Sequence, residues 1–228
     1  MKIKKIKELK NLEKIKDNGT VGIFKRWIYS GNDYNQVCNY MQKINYSIAD
    51  FNSEIAQLDS VKSKEIVYMI VLADWIRDAV VAVIRLIPQK FLVEFRFDKE
   101  SVLQEYNEYF SALRSFVVAH PSSTTRHKKF NMDGNFICTD INSSLNSIYT
   151  TFLKESCFYV LDVKGLLNIK RRCDFYLHSY SKKADKMKFM KFIGCNFVDI
   201  ATTAKLYIDK LYALDKYLVK NVKKKDYE

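Results

Sequence analysis

An arginine and a histidine in the middle of the chain are the residues best suited to chemistry. Arg114 and His120 lie six positions apart in the segment Arg-Ser-Phe-Val-Val-Ala-His-Pro. An unperturbed imidazole titrates near pH ~6.5 and can take the proton of a ribose 2′-hydroxyl or return one to a leaving oxygen. A guanidinium stays charged and holds phosphate oxygens in a bidentate fork. The pair therefore has the groups needed to cleave RNA without a metal ion.

A helix must position this pair. The helix is expected to begin near Asp98 or Ser101 and to hold Arg114 beside its apolar stripe. A residue before proline is pushed out of the α region, so we expect His120 to leave the helix at Pro121 and to face the arginine. The apolar residues at helical intervals are Leu103, Tyr106, Phe110, Leu113 and Val117.

A purely structural interpretation of the same residues is also open. A histidine before proline often caps the end of a helix, and His120 has this position. Arg114 has acidic side chains nearby with which to form an ion pair. The candidates for that pair are Glu105, Glu108 and Asp140.

The arginine-to-histidine spacing, ending in Ala-His-Pro, resembles the R-x(4–6)-H signature of the HEPN superfamily. Its members are α-helical bundle proteins, and many are metal-independent ribonucleases of toxin–antitoxin, abortive-infection and other conflict systems. The resemblance covers one motif and a helical pattern. It implies that Arg114 and His120 are catalytic and that Ser115 occupies the polar position after the arginine, where Asn, Asp or His is more usual. It also implies a homodimer in which two motifs face each other.

The expected function is therefore a cytoplasmic, metal-independent endoribonuclease, a hydrolase that needs no cofactor. The resemblance implies cleavage of tRNA, rRNA or mRNA in bacterial or phage-related antiviral defence, restrained by an antitoxin or regulatory protein. One alternative is a catalytically inactive helical bundle that binds nucleic acid or a protein partner. Another is a structural subunit in which the motif holds a dimer together.

The charge of the chain favours a polyanionic partner. The formal net charge is +12, and a basic cluster begins six residues after His120. Such side chains gain affinity for RNA through counterion release. The residues expected to guide RNA are Arg126, His127, Lys128 and Lys129. Further lysines crowd both termini, where a merely solvated surface is the simpler interpretation.

Two acidic residues on a central apolar helix are candidates to support the pair. Asp74 and Asp78 lie four positions apart, so their carboxylates share one helix face. They could orient His120 or pair with Arg114. The alternative is an ion pair that serves stability, for which the candidate partners are Arg77, Arg85 and Arg114. Two carboxylates without a nearby histidine or third acid do not indicate a metal site.

The composition predicts one mainly α-helical domain over 1–228, an antiparallel bundle of four or more long helices. Its 48% apolar residues suffice for a core, whereas 2 Pro and 6 Gly are too few for a turn-rich β-sandwich. A lysine-rich amphipathic segment is expected over 1–22, and an insertion over 121–165 with a small β-hairpin-like pair of strands near 135–163. The predicted helices are an N-terminal helix ending at 18–19, then 34–58, 60–87, 98–121, 166–181 and 184–222.

Several other classes of protein lack support. The 22 residues from Ile66 to Ile87 are apolar, but four charged residues interrupt them, so no membrane span is predicted. The five cysteines form no C-x-x-C pair and predict reduced, mostly buried thiols. No phosphate-binding loop occurs, so nucleotide hydrolysis has no support. His178 is expected on the polar face of a helix.

Overall fold

The computed structural model describes residues 6–119, 124–130, 132–140, 151–152, 159–161, 173–180 and 190–223. This part of the chain is mainly helical, as the composition predicted, and it also contains an antiparallel sheet. The α-helices are α1 (Asp33–Ala56), α2 (Ser63–Leu86), α3 (Glu100–Arg114) and α4 (Phe197–Asn221). The strands are β1 (Thr124–His127), β2 (Met132–Asp140), β3 (Thr151–Phe152), β4 (Tyr159–Leu161), β5 (Phe175–Tyr180) and β6 (Met190–Cys195).

The chain divides into two compact units, each built from separate stretches of sequence. Unit 1 comprises Met1–Lys7, Glu54–Val71 and Glu105–Ala201. Unit 2 comprises Glu8–Ser53, Leu72–Gln104 and Thr202–Glu228. The helices α1 to α4 each contribute residues to both units.

A six-stranded antiparallel sheet of order β1-β2-β5-β6-β4-β3 forms much of unit 1. The prediction of a two-stranded insertion near 135–163 was therefore wrong: β2 and β4 exist, but β5 and β6 lie between them. The helix expected over 166–181 is also wrong for its described part, which is β5. Phe175, Tyr176 and Leu177 are all buried, so both faces of β5 are covered and the alternation typical of a strand is missing.

The predicted start of the last helix is also wrong. β6 occupies 190–195, where the helix over 184–222 was expected, and α4 begins only at Phe197. His178 accordingly lies in β5, opposite Cys138 of β2 and Phe192 of β6, and not on a helix. The packing of Phe175 against Phe197, with ring centroids 4.9 Å apart, joins the sheet to the first turn of α4.

An extended segment at the start of unit 2, residues 8–18, is here called the strap. It contains turns and no helix, so the predicted N-terminal helix was wrong for the described residues. Asn52 binds the strap through both backbone groups of Leu9, at 2.8 and 3.0 Å. The buried strap residues are Leu9, Leu12 and Ile15.

The segment between the strap and α1 is fastened to the C-terminal half of α4. The buried Lys25 Nζ donates to the carbonyl oxygens of Leu218 and Val222, at 2.6 and 2.5 Å. The Ile23 backbone N–H donates to Asp215 Oδ1 at 2.9 Å. The final carbonyls of a helix lack partners within the helix, so Lys25 caps α4 from a distant point in the sequence.

Candidate active site

Arg114 is the last residue of α3 and is half-buried. The apolar stripe that predicted this helix is present, since Leu103, Phe110 and Leu113 are buried. A cation in the last turn of a helix also interacts favourably with the negative end of the helix dipole. The sequence therefore predicted this helix but placed its end at Pro121, whereas the α-helix ends at Arg114.

A single π-helical turn follows Arg114 directly. It spans Ser115–Ala119 and buries Phe116 and Val117, while Ser115 is half-buried. Phe116 packs edge-to-face on Phe136 of β2, with ring centroids 5.7 Å apart. π-turns inside α-helices are rare and frequently occur at functional sites. His120 and Pro121 lie outside the described residues, so the facing of Arg114 and His120 stays a prediction.

The basic hairpin, defined as β1, the 3-10 turn Lys128–Phe130 and β2, packs against α3. Phe130 is buried against Tyr109, with ring centroids 5.8 Å apart. Beside it, Lys129 Nζ forms an ion pair with Glu108 Oε2 at 2.6 Å. These contacts join the basic residues to the helix that carries Arg114.

The basic side chains of the hairpin differ in their surroundings. Arg126 and Lys128 are exposed, and His127 is half-buried. Lys129 is paired with Glu108, which the sequence had offered as a partner for Arg114.

Asp74 and Asp78 lie in unit 2, both against Arg77. Arg77 Nη2 is 2.7 Å from Asp74 Oδ1 and 3.0 Å from Asp78 Oδ1. Asp74 is buried and Asp78 is exposed. The ion pair expected with Arg77 is confirmed. Their proposed support of His120 or Arg114 stays a prediction.

A buried polar cluster in unit 1 gave no recognisable signal in the sequence. Asp174 Oδ2 accepts the backbone N–H of Phe197 at 3.0 Å and so caps the start of α4. Burial raises the pKa of the neighbouring Cys195 thiol to about 12, an effect that a hydrogen bond with Tyr109 opposes and that Asp199 and Asp174 increase. These groups come from three separate stretches of the chain, so no local pattern could reveal them.

Among the described residues, Cys38, Cys138, Cys173 and Cys195 form no disulfide, and the last two are buried. Cys157 lies outside the described residues. Within the described ranges, no group of three or more His, Cys, Asp or Glu residues could hold a metal ion. No helix in those ranges is sufficiently long and apolar to cross a membrane.

No protein-family model, curated protein or solved structure matches this chain.

Proposed function

We propose that this protein is a metal-independent endoribonuclease of the HEPN type. One observation supports it above the others: the basic hairpin packs on the helix that ends at Arg114. Glu108, which holds the hairpin through Lys129, lies six residues before Arg114. Six residues of α-helix span about 9 Å. RNA bound along the exposed Arg126 and Lys128 would thus pass close to the arginine.

The proposed reaction is an internal transesterification. The imidazole of His120 takes the proton of a ribose 2′-hydroxyl, and the 2′-oxygen attacks the adjacent phosphorus. The bond from phosphorus to the 5′-oxygen breaks, and that oxygen takes the proton back from the His120 imidazolium, which restores the neutral imidazole. Arg114 binds the non-bridging phosphate oxygens and stabilises the charge that develops there. The products are a 2′,3′-cyclic phosphate and a 5′-hydroxyl.

The wider setting follows the same proposal. The four long helices would form an antiparallel HEPN-like bundle, and two copies would place their Arg114 and His120 residues in one composite cleft. The enzyme would act in the cytoplasm on tRNA, rRNA or mRNA, restrained by an antitoxin or regulatory protein. The formal net charge of +12 supports an RNA substrate, because Lys and Arg dominate binding to phosphate.

RNA cleavage and RNA binding, measured side by side, test the proposal. His120→Ala should abolish cleavage and leave the affinity for RNA within about twofold of the parent, since phosphate contacts carry most of the affinity. Arg114→Ala should reduce both. Unchanged cleavage by His120→Ala would contradict the proposed role of the histidine.

A binding protein without catalysis is the second candidate, favoured by the exposure of Arg126 and Lys128 beside a paired Lys129. Such a protein would bind RNA in a salt-sensitive manner and give no product with either the parent or the variants.

A further inference from the structure

A cavity of about 400 Å³ lies between the strap and α1, entirely within unit 2. This volume falls in the roughly 300–1,000 Å³ range of small-molecule sites. Buried apolar side chains and exposed polar side chains both line it. The apolar residues that line it are Leu12, Ile15, Phe24 and Met41, all of them buried.

The wall on the side of α1 carries three amide side chains. Asn39, Gln42 and Asn45 line the cavity at three-residue intervals along the helix, and all three are exposed. An amide supplies both hydrogen-bond donors and acceptors, as the edges of nucleobases require. The Gln42 side chain also donates to the hydroxyl of Tyr46 at 3.0 Å, and Tyr46 is 64% exposed.

The strap contributes a carboxylate to the same cavity. Asp17 lines it and is exposed. An ionised carboxylate only accepts hydrogen bonds, and its two oxygens match two neighbouring donors. Among the standard bases, guanine alone presents two adjacent donors on its Watson–Crick edge, from N1 and N2. The strap lysines Lys14 and Lys16 on either side of Ile15 are exposed and supply positive charge for an attached phosphate.

We propose that this cavity binds a guanine base, with Asp17 accepting hydrogen bonds from N1 and N2, and amides of α1 contacting the remaining polar groups. The base belongs either to a free guanine nucleotide or to a guanosine within RNA. The proposal is independent of Arg114 and His120, because both the cavity and its polar groups belong to unit 2.

Cys38 provides a direct readout, since it lines the cavity and is half-buried. Burial raises the pKa of this thiol, a hydrogen bond with Tyr34 lowers it, and the Asp17 carboxylate raises it further. The thiol should therefore react slowly with N-ethylmaleimide in the free protein, and more slowly still when a base fills the cavity.

The experiment titrates the full chain with 5′-GMP, 5′-AMP and a short 2′-O-methyl oligouridylate with or without one guanosine. The methylated riboses prevent cleavage, so failure of this proposal and failure of the proposed ribonuclease are distinguishable. We expect the guanine probes to bind at least about tenfold more tightly than their counterparts, a difference typical of hydrogen bonds to a charged group. They should also protect Cys38 from alkylation. Binding of GMP identifies the free nucleotide as the source, and binding of the guanosine-containing oligonucleotide alone identifies RNA.

Asp17→Asn keeps the size of the side chain and removes its charge, and should abolish the preference for guanine. Glu13→Gln makes the same chemical change at another exposed residue of the strap and should leave the preference for guanine unchanged. Equal affinity for GMP and AMP, no binding of either guanine probe, or an unchanged preference in Asp17→Asn would overturn the proposal.

Discussion

Individual basic side chains of the hairpin have different tasks. Lys129 is held by Glu108, with both side chains more than half exposed, and such surface ion pairs contribute at most about 1 kcal/mol. It adds to the packing of Phe130 on Tyr109, which docks the hairpin on α3. Arg126 and Lys128 are exposed, as the proposed contacts with phosphate require.

Replacing Lys128 with Ala should weaken RNA binding uniformly across sequences. Loss of one phosphate contact reduces the slope of log affinity against log salt by about 1. Fluorescence anisotropy over a salt series, in the His120→Ala background to prevent cleavage, measures this slope. Lys220→Ala removes an exposed lysine of unit 2 and serves as the matched control. Equal slopes for both variants would show that Lys128 makes no phosphate contact.

For individual residues, the sequence indicated which basic side chains would lie at the surface, but not which acidic side chains they would pair with. The ion pair of Lys129 with Glu108 joins residues 21 positions apart, on different elements. Glu108 is equally well placed in the sequence to serve Arg114. Only the docking of the hairpin on α3, through Phe130 and Tyr109, decides between the partners.

Among the elements, helices that begin or end at local signals were predicted well. α1 and α2 match their expected bounds to within a few residues, and Pro88 follows α2 as a helix stop. The start of α4 was missed, because its cap is Asp174, a residue 23 positions away. Apolar residues at helical spacing continue from β6 into α4, so the sequence offered no local reason to divide them.

Gly22 joins the strap to α1 where no side chain fits. Its φ is +57°, and an added Cβ would lie 1.9 Å from Asp215 Oδ1. Gly22→Ala should therefore cost about 1–3 kcal/mol of unfolding free energy, from backbone strain and displacement of Asp215. Gly31→Ala is the matched control: its φ is +51° with nothing within 4 Å of the added Cβ, so it reports strain alone. Urea unfolding measures both, and equal losses would refute the steric role of Asp215.

Lys25 also holds the segment between the strap and α1 on α4, and its contribution can be measured separately from that of Gly22. Lys25→Met keeps an unbranched side chain but removes the donor to both carbonyl oxygens; that of Leu218 still accepts the backbone N–H of Val222 at 3.3 Å, whereas that of Val222 loses the Lys25 hydrogen bond. We expect a loss of about 1–3 kcal/mol, the cost of an unsatisfied buried polar group. Lys220→Met, at an exposed site on α4, should change stability by no more than about 0.5 kcal/mol. Hydrogen exchange of the last turn of α4 should rise in Lys25→Met alone; unchanged exchange would argue against the cap.

For the whole molecule, a buried tyrosine hydroxyl and a buried cysteine thiol make the free energy of unfolding sensitive to alkaline pH. Burial raises the pKa of Tyr207 from 10.0 to about 12, with Arg77 lowering it and Glu100 and Asp78 raising it. Burial likewise raises the pKa of Cys195 from 9.0 to about 12. A raised pKa means that the unfolded chain loses its proton first. The stability from these groups is complete below pH 9 and is lost as pH rises towards 12.

Urea unfolding between about pH 8 and pH 11 should show this decline. Tyr207→Phe removes the titrating hydroxyl, so the free energy of unfolding should fall less steeply with pH than in the parent. Tyr46→Phe, at an exposed tyrosine, should leave the slope of the parent unchanged. A parent whose stability is constant over this range would contradict the assignment.

For the molecule as a whole, the net charge of +12 follows from the composition alone. The mainly helical class could be predicted from the composition together with the periodicity of apolar residues. The division into two units could not, since each unit collects separate stretches of the chain. The six-stranded sheet depends on non-local pairing in the same way, since Asn135 of β2 pairs with Tyr180 of β5, 45 positions later.

The central claim is that Arg114 and His120 cleave RNA without a metal ion. Its most direct test is incubation of the parent protein and His120→Ala with total RNA and a tRNA pool in excess EDTA, followed by analysis of fragment 3′ ends. We predict fragments with 2′,3′-cyclic phosphate ends from the parent and none from the variant. Intact RNA with both proteins, or equal cleavage by both, would contradict the claim.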